Sequence, residues 1–403
     1  MAVPYLPLEI VEEIIDMLVG DRTSLRSCSL VSASWVHRSR HHLFANIKLH
    51  SLSDLQTWSR IGLGPSSNHV RVLDLAQNEE LKWIIPDSLA GIFNDFTSFN
   101  NVQSLTLTGL DLTLFDECSL TRFFGHLSEH LTSLTVLSMT AHPDALLFFV
   151  CMFPKLDDLS LDYLAIGKAT IPYRKPAVTP RFRGKLALSN IKSNGSSMIA
   201  SFVDPPLPMA FQDVCVVDCR FGTPKPLKDL FVACQATMKK IKVSKIFLGE
   251  FPLRGSSHHC PVSPEFLRIR YLLDDISQTP LIDLSPCKGL EEMRLSLIQL
   301  RQPSHWIEPI LQTVTSAHVR KITFETDFPI AATDIDSGIN ISSWSRLDAI
   351  FLRMADTLDQ TGEKLELIFN ALAPNTLGEL SSVDPGRFLE KCRAKATVRF
   401  ERI

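Results

Sequence analysis

After Phe44 one short apolar pattern, apolar-x-x-apolar-x-apolar, returns along most of the chain. Its middle residues are Ile47, Leu73, Leu105, Leu137, Leu159, Leu186, Val214, Ile241, Ile269, Met293 and Ile322. The intervals run from 22 to 32 residues and average 27.5. A unit of that length holds one short strand and one returning helix, cannot bury its apolar face alone, and must stack on its neighbours. Stacking also resolves a problem of size, because the chain has 403 residues and single cores stop growing at about 250–300.

The spacing fits a leucine-rich repeat in degenerate form. Val70-Arg-Val-Leu73-Asp-Leu75, Leu156-Asp-Asp-Leu159-Ser-Leu161 and Val319-Arg-Lys-Ile322-Thr-Phe324 are clear units. The Asn or Cys that follows the strand in regular repeats stands only at Asn78 and Cys219, and Arg183 occupies an apolar position of its unit. Past Asp327 the register fades. Trp344 to Leu358 has helical spacing, and Leu365 to Leu372 and Ala396 to Ile403 read as closing strands. The expected fold class is α/β, a strand–helix solenoid over residues 45–403 with a C-terminal cap from about residue 330, preceded by a short helical segment over residues 1–44.

Composition bounds the class. With 45% apolar and 21% charged residues and a net charge of −3, the chain has too much apolar surface to stay disordered. The first eighteen residues carry no Lys or Arg and have acids inside their apolar run, unlike a signal peptide. Ala145 to Pro154 is far shorter than the ~20 residues that span a bilayer. Nine scattered cysteines do not suit a disulfide framework. The expectation is a protein of the cytosol or nucleus without a membrane partner, in which the sequons at Asn194 and Asn340 are chance matches.

The first fifty residues carry a different pattern. Leu8 to Leu18 reads as a helix with Pro7 at its start. On a helical wheel Glu9, Glu12, Glu13 and Asp16 share one arc, while Leu8, Ile10, Val11, Ile14, Ile15, Met17 and Leu18 fill about half the circumference. So wide an apolar face on so short a helix implies burial on two sides, one within its own domain and one against another chain. Val19-Gly20-Asp21 breaks the helix, with Asp21 or Thr23 able to cap the next. Leu25, Cys28 and Val31 form one edge of a second helix. Ser29, Ser32, Ala33 and Ser34 permit close helix contacts around Trp35, and a third helix ends near Leu43-Phe44. Arg38, Arg40, His37, His41 and His42 make that helix basic.

Leu6-Pro7-x-Glu9-Ile10, Ile14-Ile15, Leu18, Leu25, Cys28-x-x-Val31, Trp35 and Leu43-Phe44 together resemble the F-box motif, specifically that of F-box proteins of mushroom-forming fungi, in which irregular leucine-rich arrays follow. The resemblance covers about a tenth of the chain. It departs at Val19-Gly20-Asp21, where many members carry Pro. It implies docking on the Skp adaptor of a cullin–RING ubiquitin ligase and places Leu6, Pro7, Ile10, Ile14, Leu25, Cys28, Val31 and Trp35 at or beside that interface. It further implies a substrate-recognition subunit whose solenoid holds an unknown protein, with no catalysis of its own. The alternative is a leucine-rich-repeat-like scaffold or regulatory binding protein whose first helices only cap the stack.

Charge is uneven. Tyr163 to Val203 contains seven Lys or Arg and no acid, and up to Leu248 there are fourteen bases against Asp204, Asp213, Asp218 and Asp229. Arg174, Lys175, Arg181, Arg183 and Lys185 lie in or beside a proline-rich loop that could grip an acidic or phosphorylated segment or simply remain solvated. Nucleic acid is a weaker candidate, since no base-stacking motif accompanies these bases. No phosphate loop, dinucleotide fingerprint, nucleophile elbow or His-Glu-x-x-His is present. Cys215 and Cys219 share a phase of an alternating pattern and read as buried thiols. His258-His259-Cys260 reads as a polar loop, and Asp157-Asp158 and Asp274-Asp275 as splayed pairs. No cofactor or metal is expected.

Overall fold

Leu73 and Leu75 are buried while Val72, Asp74 and Ala76 between them are half-exposed, and this period of two recurs in strand after strand. In the computed structural model, residues 7–62, 67–77, 83–86, 97–167, 173, 182–191, 195–203, 209–221, 223, 225–244, 246–248, 282–297, 304–326, 341–371 and 389–402 are described. The chain divides into two units, Met1–Arg181 and Phe182–Ile403.

The first unit opens with three helices, α1 (Leu8–Met17), α2 (Arg22–Val31) and α3 (Ala33–Phe44). Strand β1 (Asn46–Leu49), helix α4 (Leu52–Gly62), then β2 (Val72–Ala76) and β3 (Ser104–Thr108) follow. Next come α5 (Glu117–Phe124), β4 (Ser133–Leu137), β5 (Thr140–Ala141), α6 (Pro143–Cys151), β6 (Asp158–Asp162) and β7 (Ala165–Ile166). Strands β1, β2, β3, β4 and β6 pair in parallel in that order, with Ile47, Leu73, Leu105, Leu134 and Leu159 in one row. The short β5 and β7 pair beside them.

The second unit contains β8 (Lys185–Ser189), α7 (Gly195–Val203), β9 (Asp213–Val217), β10 (Arg220–Phe221), α8 (Lys225–Cys234), β11 (Lys240–Ser244) and β12 (Phe247–Leu248). It continues with β13 (Glu292–Leu297), α9 (Ser304–Thr313), β14 (Lys321–Thr326), α10 (Ile341–Asp359), β15 (Glu366–Ala371), α11 (Glu390–Arg393) and β16 (Thr397–Arg402). Its parallel row runs Leu186, Val214, Ile241, Met293, Ile322, Leu367 and Val398. Short parallel β10 and β12 again pair with each other. Both units are therefore mixed α/β stacks in which strands neighbour one another in chain order and helices return the chain.

The core lies between strands and helices. Phe182 stacks on Phe211 at 4.8 Å and Phe324 on Phe369 at 5.0 Å, while Phe124 meets Phe149 edge-on at 5.2 Å. Helix α6 is buried on most sides, with Pro143 in its first turn and His142 capping it. This explains the charge-free run that begins at Ala145. Among the described residues no helix is long and apolar enough to cross a membrane.

The structure corrects several readings of the repeat. Leu134, not Leu137, is the rung of its strand. Leu131-x-x-Leu134-x-Val136 and Leu134-x-x-Leu137-x-Met139 both match the pattern, and the first prevails because Leu131, Leu134, Val136 and Met139 are buried together. Ile241 and Met293, which flank Ile269 in sequence, pair directly with each other; Ile269 itself lies outside the described residues. The ladder does not fade past Asp327, since β15 and β16 extend it in register. Phe182, which is buried, fills the apolar position that Arg183 seemed to occupy.

A second repeat signature escapes the apolar pattern. The residue just after β3, β4, β6, β8 and β9 has positive φ: Gly109 (78°), Ser138 (54°), Tyr163 (52°), Asn190 (53°) and Asp218 (51°). Its N–H continues the ladder, Gly109 donating to Leu137 O at 2.8 Å and Asp218 to Ser244 O at 2.9 Å. The turn tips the following side chain, Leu110, Met139, Leu164, Ile191 or Cys219, into the core. The position expected to carry Asn or Cys is thus mostly apolar here. Cys219 keeps the polar role, its Sγ donating to Leu188 O at 3.4 Å and Val217 O at 3.3 Å. Cys219 lies beyond the end of β9, so it does not share a strand phase with Cys215. Asn78 lies outside the described residues.

Candidate functional site

The three opening helices are specified locally. Ile10 N and Val11 N donate to Pro7 O at 3.2 Å, starting α1. Gly20, at φ 103° with open space around its Cα, lets the chain turn. Asp21 Oδ1 accepts from Thr23 N and Ser24 N at 3.1 Å, capping α2. Ser32 caps α3, accepting from Ser34 N at 3.3 Å.

Their core is small and complete. Val11, Ile15, Leu25 and Leu43 are buried together, with Leu18, Cys28, Trp35 and Phe44 packed against them. Asp16 locks α1 to α3. Its carboxylate accepts from Arg38 Nε at 2.6 Å, meets Arg38 Nη2, and lies 2.7 Å from His42 Nε2. Hydrogen bonds from Arg38, then His42, hold the Asp16 carboxyl well below the usual carboxylate range. That contribution is present above the ordinary carboxylate range and is lost as falling pH protonates Asp16.

Part of what remains outside is apolar. Leu8, Ile10, Ile14, Met17 and Val19 are exposed on and just after α1, and Leu30 and Val31 on α2. Pro7, Ile10, Ile14 and Met17 follow steps of three and four and form one stripe. Ile10 and Ile14 are 42% and 45% exposed, and Met17 and Leu30 reach 83% and 86%. The expected site residues therefore divide. Pro7, Ile10, Ile14 and Val31 are at the surface. Leu25, Cys28 and Trp35 belong to the segment's own core, where Leu25 is closed to any partner. Leu6 lies outside the described residues. Met17, Val19 and Leu30 are exposed beside the expected residues; Met17 continues the stripe and was legible from the spacing, whereas the exposure of Leu30 needed the packing of α2 on α3.

The basic region reads differently in three dimensions. Arg174, Lys175 and Arg181 lie outside the described residues, as do His258, His259, Cys260, Asp274 and Asp275. Arg183 and Lys185 are exposed, and Lys185 stands opposite Asp213 in the ladder. Tyr173, at the loop's start, donates its OH to Phe115 O and packs 5.7 Å from Phe148; burial pushes its phenol up to about 12. Lys239, Lys240 and Lys242 pair with Glu291 (3.5 Å), Glu292 (3.1 Å) and Glu325 (2.9 Å). Three bases of this region thus face acids from later in the chain.

Burial pushes the Cys151, Cys219, Cys234 and Cys392 thiols up to about 12, which keeps them protonated and unreactive. Among the described residues no group of three His, Cys, Asp or Glu is gathered as metal ligands.

No family model and no curated protein matches the chain. Among solved structures it is similar to a chain in the crystal structure of the Rad7 and Elc1 complex of yeast. The alignment covers 92% of this chain and 85% of that one, at 11% identity and a TM-score of 0.36, a likeness that carries no argument about function.

Proposed function

We propose that this protein is the substrate-recognition subunit of a Skp–cullin–F-box ubiquitin ligase. The reading holds that the three-helix segment docks the Skp adaptor and that the repeat units hold a protein substrate. One observation carries it: a segment whose core is already closed still exposes a stripe of Pro7, Ile10, Ile14 and Met17, with Leu30 and Val31 on the next helix. Burying such a side chain yields about 1.5–3 kcal/mol, so water alone is a poor partner for this face. The resemblance of Pro7, Ile10, Ile14 and Val31 to the F-box pattern supports a Skp adaptor as that partner. Asp16, Arg38 and His42 serve as positioning residues that hold α1 on α3.

Such a receptor works in the cytosol or nucleus and contributes proximity rather than chemistry. It raises the effective concentration of a substrate lysine near ubiquitin delivered by another enzyme. An acidic or phosphorylated substrate segment is the class that Arg174, Lys175, Arg181, Arg183 and Lys185 would suit.

Co-purification with a Skp adaptor tests the reading. The intact chain should form a stable complex, and Ile10→Asp with Ile14→Asp should abolish it while the circular dichroism stays unchanged, because a charge buried in an apolar interface costs several kcal/mol. Met17→Asp with Leu30→Asp should weaken it strongly. No complex with the intact chain would leave a repeat scaffold with a helical cap.

A further inference from the structure

Four histidines gather where α3 meets the short turn Ser67–His69 that leads into β2. The His41 and His69 rings lie 5.4 Å apart at 83°, His37 and His69 5.2 Å apart at 85°, and His41 and His42 5.2 Å apart at 77°. At the centre, His41 Nδ1 and His69 Nδ1 form a hydrogen bond of 3.4 Å. A neutral imidazole has one nitrogen that donates and one that accepts. This bond therefore requires one ring to keep its Nδ1 lone pair.

We propose that the His41–His69 pair is an acid-sensitive clasp between the three-helix segment and the first repeat. It is closed when at least one of the rings is neutral and opened when both are protonated. Protonating both rings leaves two N–H groups pointing at each other, so the bond becomes a repulsion between like charges. Among the described residues the charges acting on the pair add to that repulsion. The charged groups acting on His41 are His42, His69, Arg38 and Arg71, and on His69 they are His37 and Arg71, all of them bases. From α1, Asp16 is engaged by Arg38 and His42, and Glu12 acts on Arg38. From α2, Arg22 Nη2 reaches Leu43 O at 3.4 Å.

Burial first, then the neighbouring bases, hold His41 and His69 below their ordinary value. The folded form therefore prefers them neutral. The stability they carry is complete above the unfolded histidine range, about pH 6.5. It is lost as pH falls below it, because the unfolded chain takes up protons first. The apolar stripe of α1 is held in place by Asp16 on Arg38 and His42, outside the His41–His69 pair. The clasp does not depend on what binds that stripe.

The test compares the full chain with His41→Gln/His69→Gln, since Gln can hydrogen bond but does not titrate. Amide exchange, corrected for its intrinsic pH dependence, is followed over residues 33–44 and 67–72 at pH 7.5 and 5.5. The wild type should open more at pH 5.5, by up to about tenfold for each ring, since that pH lies about one unit below the free histidine value, and the double variant should stay level. Imidazole C–H resonances of the wild type should in addition give two rings that titrate below about pH 6.5, a readout independent of how the variant folds. Level exchange in the wild type, equal acceleration in the variant, or titration of the His41 and His69 rings at or above that value would each overturn the clasp.

Discussion

The two units bury the same pattern and expose different ones. In the first, most outward residues of β3 and β4 are small hydroxyls, Ser104, Thr106, Thr108, Ser133 and Thr135, all half-exposed, while charge stands to either side, as the Lys48–Asp74 pair between β1 and β2 and as Asp158 and Asp162 on β6. In the second, the first row of the ladder runs Lys185, Asp213, Lys240, Glu292, Lys321 and Glu366, alternating in sign from strand to strand. Farther along, Ser296 and Thr323 are outward but buried, and Lys242 and Glu325 form a largely shielded pair. The inward pattern makes a repeat, but it is nearly identical in each repeat and cannot by itself say which strand neighbours which. In the second unit charge adds that information, because a slip of one strand would set like signs opposite each other. Between β3 and β4 of the first unit the facing hydroxyls carry no such penalty.

Truncating the shared inward face should have the largest effect and the same effect in both units. Leu105→Ala and Met293→Ala, both fully buried rungs, should each cost about 2–5 kcal/mol in urea unfolding. A much smaller loss in one unit would break the equivalence of the inner faces. The outward faces should then separate the units. Lys242→Ala leaves Glu325 without its 2.9 Å partner and should cost about 1–2 kcal/mol, restored in part by Glu325→Gln. Thr106→Ala in the first unit should stay within about 0.5 kcal/mol. Equal costs would show that charge does not distinguish the two sheets.

A modest effect of opposite sign concerns the turn common to both units. Tyr163 holds φ 52° at an exposed position, a conformation that costs a side chain about 1–2 kcal/mol, against about 0.5–1 for the entropy of glycine. Tyr163→Gly should therefore raise stability by up to about 1 kcal/mol. Gly109→Ala should lower it, because a Cβ there would lie 2.6 Å from Gln77 O. A loss on Tyr163→Gly would mean that the tyrosine side chain does more for the turn than its exposure suggests.

The strands were legible because a strand buries every second residue whatever surrounds it. Leu73, Leu105, Leu159, Val214 and Ile322 declare themselves on that account. Leu134 did not, since two overlapping frames satisfied the same pattern and only joint burial separates them. The left-handed turns were hidden because Ser138, Tyr163, Asn190 and Asp218 have no residue type in common; what they share is a backbone angle. In the opening helices the sequence supplied the width of the apolar face, but not which part of it the three helices bury. Leu25, Cys28 and Trp35 could be told from Ile10, Ile14 and Val31 only once the three helices had packed.

By itself, then, the order of residues determined that this chain would be a repeat of strand and helix behind three short helices, because apolar periodicity and caps act within a few residues of each other. Tertiary structure decided everything that depends on residues meeting across tens of positions. It chose which half of the α1 face stays in water and set the bases of the middle of the chain against the acids of its end. It also brought His41 on a helix to His69 on a turn. These are pairings over distance, and a local pattern cannot encode them because their energy exists only after the chain has closed.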